Sequence, residues 1–170
     1  MFVRDPLERL LSAYRNKFTV RYNKYFKDRY GTLIIRKFRA NATVESLLYG
    51  HDVTFPEFVT YLLDPHTRKR PFNTHWRQYY QLCHPCLINY NFIGKYETLS
   101  PDVQKLLRQA GIEHLISFPR APRISGVNST AQVMEYYYRD IHPDDIHKLW
   151  QLYSVDYAMF GYQYPQISRR

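Results

Sequence analysis

Long apolar runs are missing from this chain. No stretch of its 170 residues approaches the roughly 20 apolar residues of a bilayer span, and no signal-type segment opens it, so taken literally the sequence belongs in the cytosol. Cysteine is scarce: the only two form Cys83-His84-Pro85-Cys86. A zinc site would need two further ligands, and one Cys-x-x-Cys pair with scattered histidines is poor evidence for them. The same four residues have the spacing of a thiol-disulfide redox site, but not the strand-then-helix setting of a thioredoxin-like unit. Neither zinc-finger spacing nor an RNP-like aromatic motif is present, which argues against a nucleic-acid partner. There is no internal repeat and no low-complexity segment. Acidic residues are outnumbered, 15 Asp and Glu against 24 Lys and Arg, so the surface attracts polyanions. Solubility would explain that charge too, and nucleic acid, an acidic membrane face or a sulfated or uronate-bearing glycan would satisfy it equally.

The length suits a single domain over residues 1–170, able to bury about 70% of its unfolded surface. Aromatic residues make up 17%, mostly tyrosine, which predicts a packed interior with tyrosines at its rim or lining a sugar- or base-binding groove.

The most informative stretch is Phe2 to Arg15. Phe2-Val3 reads as the end of a buried strand, and Asp5 and Pro6 as the N-cap and first position of a helix, with Glu8 completing a capping box. Leu7, Leu10, Leu11, Tyr14 and Phe18 form one apolar stripe; Asp5, Glu8, Arg9, Ser12 and Asn16 share the other side. Ser12 lies about 10 Å along the axis from the cap, at roughly 1.5 Å per residue. An anion held by Arg4 and Ser12 would lie against the helix flank, on a guanidinium fork and a hydroxyl. The alternative is an Arg4 that pairs only with Asp5 or Glu8, beside a solvated Ser12.

Beyond it, the first helix is expected to run to about Lys27 and to break at Tyr30-Gly31. A second, Thr32 to Arg39, has a basic face that is either glycan-facing or merely solvated. Thr54-x-x-Glu57 is a capping box for a helix carrying Phe55, Phe58, Val59 and Leu62, ended by Asp64-Pro65. His66 to Thr74 is irregular and carries Arg68-Lys69-Arg70. Tyr79, Tyr80 and Leu82 have helical spacing, and Leu87 to Lys95 reads as a strand. Ser100-Pro101 caps a helix with Val103, Leu106, Leu107 and Ala110 inward, stopped by Gly111. A surface loop, Phe118 to Thr130, precedes helices at Val133–Tyr138 and Asp144–Tyr153.

The run Arg4-Asp5-Pro6-x-x-Arg9-x-x-Ser12-Ala13-Tyr14-Arg15 resembles the 3′-phosphate-binding motif of Golgi carbohydrate sulfotransferases. So do further blocks, in order: Leu62-Leu63-Asp64-Pro65-His66-Thr67, Pro71-Phe72-Asn73, His75-Trp76, Leu82-Cys83-His84-Pro85-Cys86, Gly94-Lys95-Tyr96-Glu97-Thr98-Leu99 and Asp156-Tyr157-x-Met159-Phe160-x-Tyr162. Together they look like the chondroitin and dermatan 4-O-sulfotransferase branch. The resemblance implies an α/β fold of the sulfotransferase type, helix-rich and related to P-loop nucleotide folds. It implies a transferase using 3′-phosphoadenosine 5′-phosphosulfate (PAPS) and no metal, acting on a glycosaminoglycan at the 4-position of N-acetylgalactosamine. Residues 4–12 (Arg4, Asp5, Pro6, Leu7, Glu8, Arg9, Leu10, Leu11, Ser12) would form the donor motif, Arg4 and Ser12 touching the 3′-phosphate.

His75 is the candidate general base, since imidazole titrates near neutrality and can take a hydroxyl proton. In that block the chondroitin enzymes usually read Asn-Glu-His-Trp, whereas Thr74 stands here in place of the glutamate. The family's 5′-phosphosulfate loop, upstream of the 3′-phosphate motif, has no counterpart between Met1 and Arg170. The chain is therefore expected to be the C-terminal part of a Golgi type II membrane protein whose anchor lies outside it, and inactive alone. Asn41-Ala42-Thr43 and Asn128-Ser129-Thr130 are N-glycosylation sequons, which matter only in a secretory lumen. There Cys83 and Cys86 would be structural, bridged to each other or to cysteines upstream. The rival reading is a non-catalytic glycan- or polyanion-binding segment.

Overall fold

The computed structural model describes residues 1–119 and 130–167; Asn128 and most of the expected 118–130 loop lie outside them. Strand β1 (Phe2–Val3) pairs in parallel with β2 (Gly94–Lys95), Phe2 opposite Gly94 and Val3 opposite Lys95. The strand expected over Leu87 to Lys95 is confined to its last two residues. Leu87 and Ile88 are exposed, with no neighbouring strand to cover them.

Helix α1 (Pro6–Tyr14) follows the turn at Arg4 and runs on through a π-helical turn, Arg15–Thr19. Its stripe, Leu7, Leu10, Leu11, Tyr14 and Phe18, is buried as the spacing predicts. Asp5 caps it, accepting the N–H groups of Leu7 and Glu8 at 3.0 Å each. The returning carboxylate is not Glu8. Arg4 donates its Nε to Glu8 at 3.1 Å, a charge-assisted bond that outcompetes a neutral amide, and Glu97 takes the Asp5 N–H at 2.7 Å. The helix also stops short of Lys27, because Val20 is extended and Asn23 donates its side-chain amide to the Asn16 carbonyl to close a turn.

Helix α2 (Lys24–Phe26), a second π turn (Lys27–Gly31) and α3 (Thr32–Phe38) then form one continuous helical path, so Tyr30-Gly31 does not break it. Gly31 instead permits a close approach. A methyl group there would collide with the carbonyl of Gly50, the left-handed residue (φ 56°) that ends α4 (Val44–Tyr49). The expected basic face of α3 is partly neutralised. Arg39 forks onto Glu57 at 2.6 and 2.7 Å and reaches Asp52 at 2.5 Å, while Lys37 meets Asp64 at 2.6 Å. Glu57 also closes the capping box of α5 (Phe55–Leu63) with Thr54, as the sequence predicts.

Helix α6 (Tyr79–Cys83) is capped from a distance. The buried Asp156 accepts the Tyr79 and Tyr80 N–H groups at 2.6 and 3.0 Å. Helix α7 (Leu99–Gln109) begins one residue earlier than Ser100, with Thr98 as N-cap; Val103, Leu106 and Leu107 are half-buried and Ala110 is exposed. Helices α8 (Thr130–Tyr138), α9 (Pro143–Leu152) and α10 (Ser154–Phe160) complete the chain, and α1, α3, α5, α8 and α9 enclose the core around Trp76. Most tyrosines lie at the rim as expected, but some are core residues. Tyr14, Tyr138 and Tyr153 are buried, with hydroxyls donating to the carbonyls of Val53, Leu7 and Trp76 at 2.7, 2.9 and 2.6 Å. Each thereby buries a ring without orphaning its polar tip.

Gly31→Ala should lower the unfolding free energy by about 2 kcal/mol, as overpacking against backbone does. Urea unfolding would measure it; a loss under about 0.5 kcal/mol would remove the close-approach argument.

Candidate donor cleft

A cavity of about 400 Å³ opens where α1 meets the loop before α6, and Arg4, Arg9, Ser12, Lys17, His75 and Tyr79 are among its lining residues. Two local choices aim these side chains. The Asp5 cap starts α1 so that its polar side faces the loop, and Arg9 then holds the loop in place. It donates to the carbonyls of Arg77 at 2.7 Å and Thr74 at 2.9 Å and stacks 4.4 Å over the Tyr79 ring. His75 and Trp76 sit inside that bracket, Trp76 buried in the core and His75 exposed toward the cleft.

No carboxylate is among the lining residues, while Arg4, Arg9 and Lys17 are. The Arg4 side chain bonds Glu8 through Nε and lies 4.4 Å over the Tyr96 ring, so its two terminal nitrogens carry no hydrogen bond among the described residues. The Ser12 hydroxyl is likewise uncommitted. A guanidinium face and a free hydroxyl on a cation-lined wall fit an anion. A second opening, shared by Arg4, Ser12 and Tyr96, adds Arg15 and Glu8.

Of the nine residues in the expected donor motif, Arg4, Arg9 and Ser12 reach this cleft; Pro6, Leu7, Leu10 and Leu11 are buried, serving the helix rather than a ligand. Burial pushes the Asp5 carboxyl up against the pull of its two N–H bonds, and does the same to Glu8 against Arg4. Sequence reading missed Lys17, Tyr79 and Tyr96. Lys17, eight residues past the Arg9 that brackets the loop, follows α1's polar face into the π turn, but nothing local marks it.

The imidazole of His75 packs edge-on against Phe26, ring centres 5.4 Å apart, and makes no hydrogen bond among the described residues. Partial burial, then the charges of Lys17 and Arg9, push its pKa below the ordinary histidine value. It is thus neutral, able to accept a proton, over a wider range of pH. Cys83 and Cys86 are both free thiols here and are not bridged to each other; burial pushes the Cys83 thiol up, away from reactivity. No group of three or more metal-ligating side chains occurs among the described residues. Asn41 is exposed in a turn, and Thr43 of its sequon caps α4.

With parallel strand, turn and capped helix placed beside a cation-lined cleft, the class of protein is defined: the sulfotransferase family profile matches residues 1–163, and the chain belongs to that family. Among curated relatives, carbohydrate sulfotransferase 11 of Rattus norvegicus is 48% identical over 166 residues, covering 97% of this chain and 47% of its own length. Carbohydrate sulfotransferase 9 of Homo sapiens is 41% identical, covering 97% of this chain and 37% of its own. Carbohydrate sulfotransferase 12 of Mus musculus is 40% identical, covering 98% and 40%. This chain therefore spans less than half the length of these relatives. No solved structure matches it.

His75 should titrate below the ordinary value of about 6.5, and Lys17→Ala should raise it. An NMR pH titration checks both; a wild-type value above 6.5, or one unmoved by the substitution, would contradict the electrostatic account.

Proposed function

We propose that this chain is the 3′-phosphate-binding and acceptor-facing part of a carbohydrate sulfotransferase, an enzyme that uses PAPS and sulfates a glycosaminoglycan. The 4-position of N-acetylgalactosamine in chondroitin or dermatan is the preferred acceptor, on the motif resemblance. The observation that carries the reading is the cleft wall itself: Arg4, Arg9, Lys17 and the Ser12 hydroxyl line it, with no carboxylate among the lining residues, beside the helix that follows a parallel strand. About 400 Å³ is within the range of small-ligand sites.

PAPS supplies an activated sulfuryl group on its 5′-phosphate oxygen. Arg4 and Ser12 bind the 3′-phosphate, the guanidinium through the nitrogens that Glu8 leaves free. Glu8 and Tyr96 fix the Arg4 side chain in advance, which limits the entropy lost on binding. His75 receives the proton of the acceptor hydroxyl as that oxygen bonds to sulfur and the bond from sulfur to the 5′-phosphate oxygen breaks, releasing adenosine 3′,5′-bisphosphate. Partial burial, then Lys17 and Arg9, favour its neutral form, and the two cations give the cleft a potential that favours the developing negative charge. The phosphosulfate-holding loop belongs to the remainder of a longer polypeptide, as does the type II anchor that would place the enzyme in the Golgi lumen. The two sequons support a lumenal setting, and Asn41 is exposed for modification. Residues 1–170 act in this reading as one domain.

Calorimetric titration with adenosine 3′,5′-bisphosphate tests the donor site. Loss of a charge-assisted bond is worth about 1.5 to 3 kcal/mol, so Arg4→Ala should weaken binding roughly 10- to 150-fold; unchanged affinity would refute the assignment. In an active enzyme containing this segment, His75→Ala should abolish transfer and spare bisphosphate affinity. Near-normal turnover would remove His75 from the mechanism.

A further inference from the structure

The segment immediately after the donor helix carries six cations, Arg15, Lys17, Arg21, Lys24, Lys27 and Arg29, against a single acid, Asp28. Elsewhere the basic surface is partly neutralised, as at Arg39 and Lys37, but none of these six is in an ion pair among the described residues. Two aromatic rings stand out of the same stretch: Tyr22 is 89% exposed and Tyr25 is 56% exposed. The Tyr22 ring makes no ring contact or side-chain hydrogen bond among the described residues, while Tyr25 is braced, edge-on against Phe26 with ring centres 5.3 Å apart and its hydroxyl accepting from Arg29 at 3.0 Å. Both flanks of the turn are π-helical, a geometry frequent at functional sites. The platform is also continuous with the donor cleft. Lys17 and the neighbouring Asn16 line that cleft, and the Phe26 ring takes the Lys17 ammonium at 4.9 Å and the His75 ring at 5.4 Å.

We propose that Arg15 to Arg29 is the docking platform for the acceptor, an acidic glycan whose carboxylates meet the cations and whose sugar rings stack on Tyr22 and Tyr25. The inference rests on the transferase reading, which supplies a sugar as substrate, and it assigns the acidic part of that substrate to one surface. The cations select negative charge, and the exposed rings select a ligand with flat apolar faces rather than charge alone. Running from this platform past Phe26, a glycan strand arrives at His75, the residue placed to take its hydroxyl proton.

The test is direct binding of unsulfated chondroitin to the 170-residue chain, beside polyglutamate, single-stranded polyuridylate and adenosine 3′,5′-bisphosphate at matched ionic strength. Arg21→Ala combined with Lys24→Ala should weaken chondroitin roughly 5- to 30-fold, the scale of two exposed ionic contacts. Tyr22→Ala should weaken chondroitin but not polyglutamate, and Tyr22→Phe should restore it. These three residues lie outside the core and the donor cleft, so bisphosphate affinity should stay unchanged throughout. Chondroitin affinity unmoved by the double substitution, or polyuridylate bound more tightly than chondroitin, would overturn the platform. A wild-type chain that binds chondroitin through these residues but shows no bisphosphate affinity would instead sink the donor reading and leave the platform standing.

Discussion

The guanidinium of Arg9 is the contact on which the cleft depends. From the middle of α1 it reaches two carbonyls, Thr74 and Arg77, and covers the face of Tyr79. Those bonds fix a loop that has almost no regular structure of its own between Arg70 and Gln78. With the loop fixed, Trp76 drops into the aromatic core beside Phe18, Phe26, Tyr30 and Phe58, while its neighbour His75 is left facing Lys17. A residue that the motif places among ligand contacts thus gives two of its five N–H donors to the protein. It still adds its charge to the site, because a carbonyl does not neutralise a cation.

Much of this was legible in the amino-acid order, because it is local. The stripe of α1, the Asp5 cap and the Thr54–Glu57 box each need information from within one or two helical turns, and each is found where the spacing places it. What escaped sequence reading was settled between distant segments. Glu97, not Glu8, accepts the Asp5 amide because the β2 end of the chain is folded against the start of α1. Gly31 looked like a helix breaker, since nothing local reveals that Gly50 crosses it. Arg39 read as one cation of a basic face until Asp52 and Glu57 came to meet it. Spacing left Arg4 and Ser12 open to a purely structural role and the motif resemblance paired them, whereas nothing in the sequence showed the charge environment of His75, because Lys17 and Arg9 reach it from another element.

The acidic residues are deployed economically. Asp5, Glu8, Glu57, Glu97, Asp102 and Asp156 accept hydrogen bonds from backbone amides or fixed arginines, and none of them faces the donor cleft. A net charge of +9 is therefore concentrated further than the totals suggest, because many carboxylates are used in capping and bracing, Glu8 on Arg4 included, while Arg9 and the cations of Arg15 to Arg29 are in no ion pair among the described residues.

Asp156 has a kinetic side. The amides that it caps at Tyr79 and Tyr80 precede it by more than 75 residues, Tyr138 reaches back to Leu7 across 131, and Tyr162 bonds Glu97. During synthesis the donor helix is made well before the partners that seat it. The cleft therefore cannot close until the segment carrying Asp156 and Tyr162 has left the ribosome, and the nascent donor helix carries an exposed apolar stripe in the meantime. Such a topology ties correct assembly of the site to late folding and makes the docking of α10, outside the cleft itself, the step that completes it.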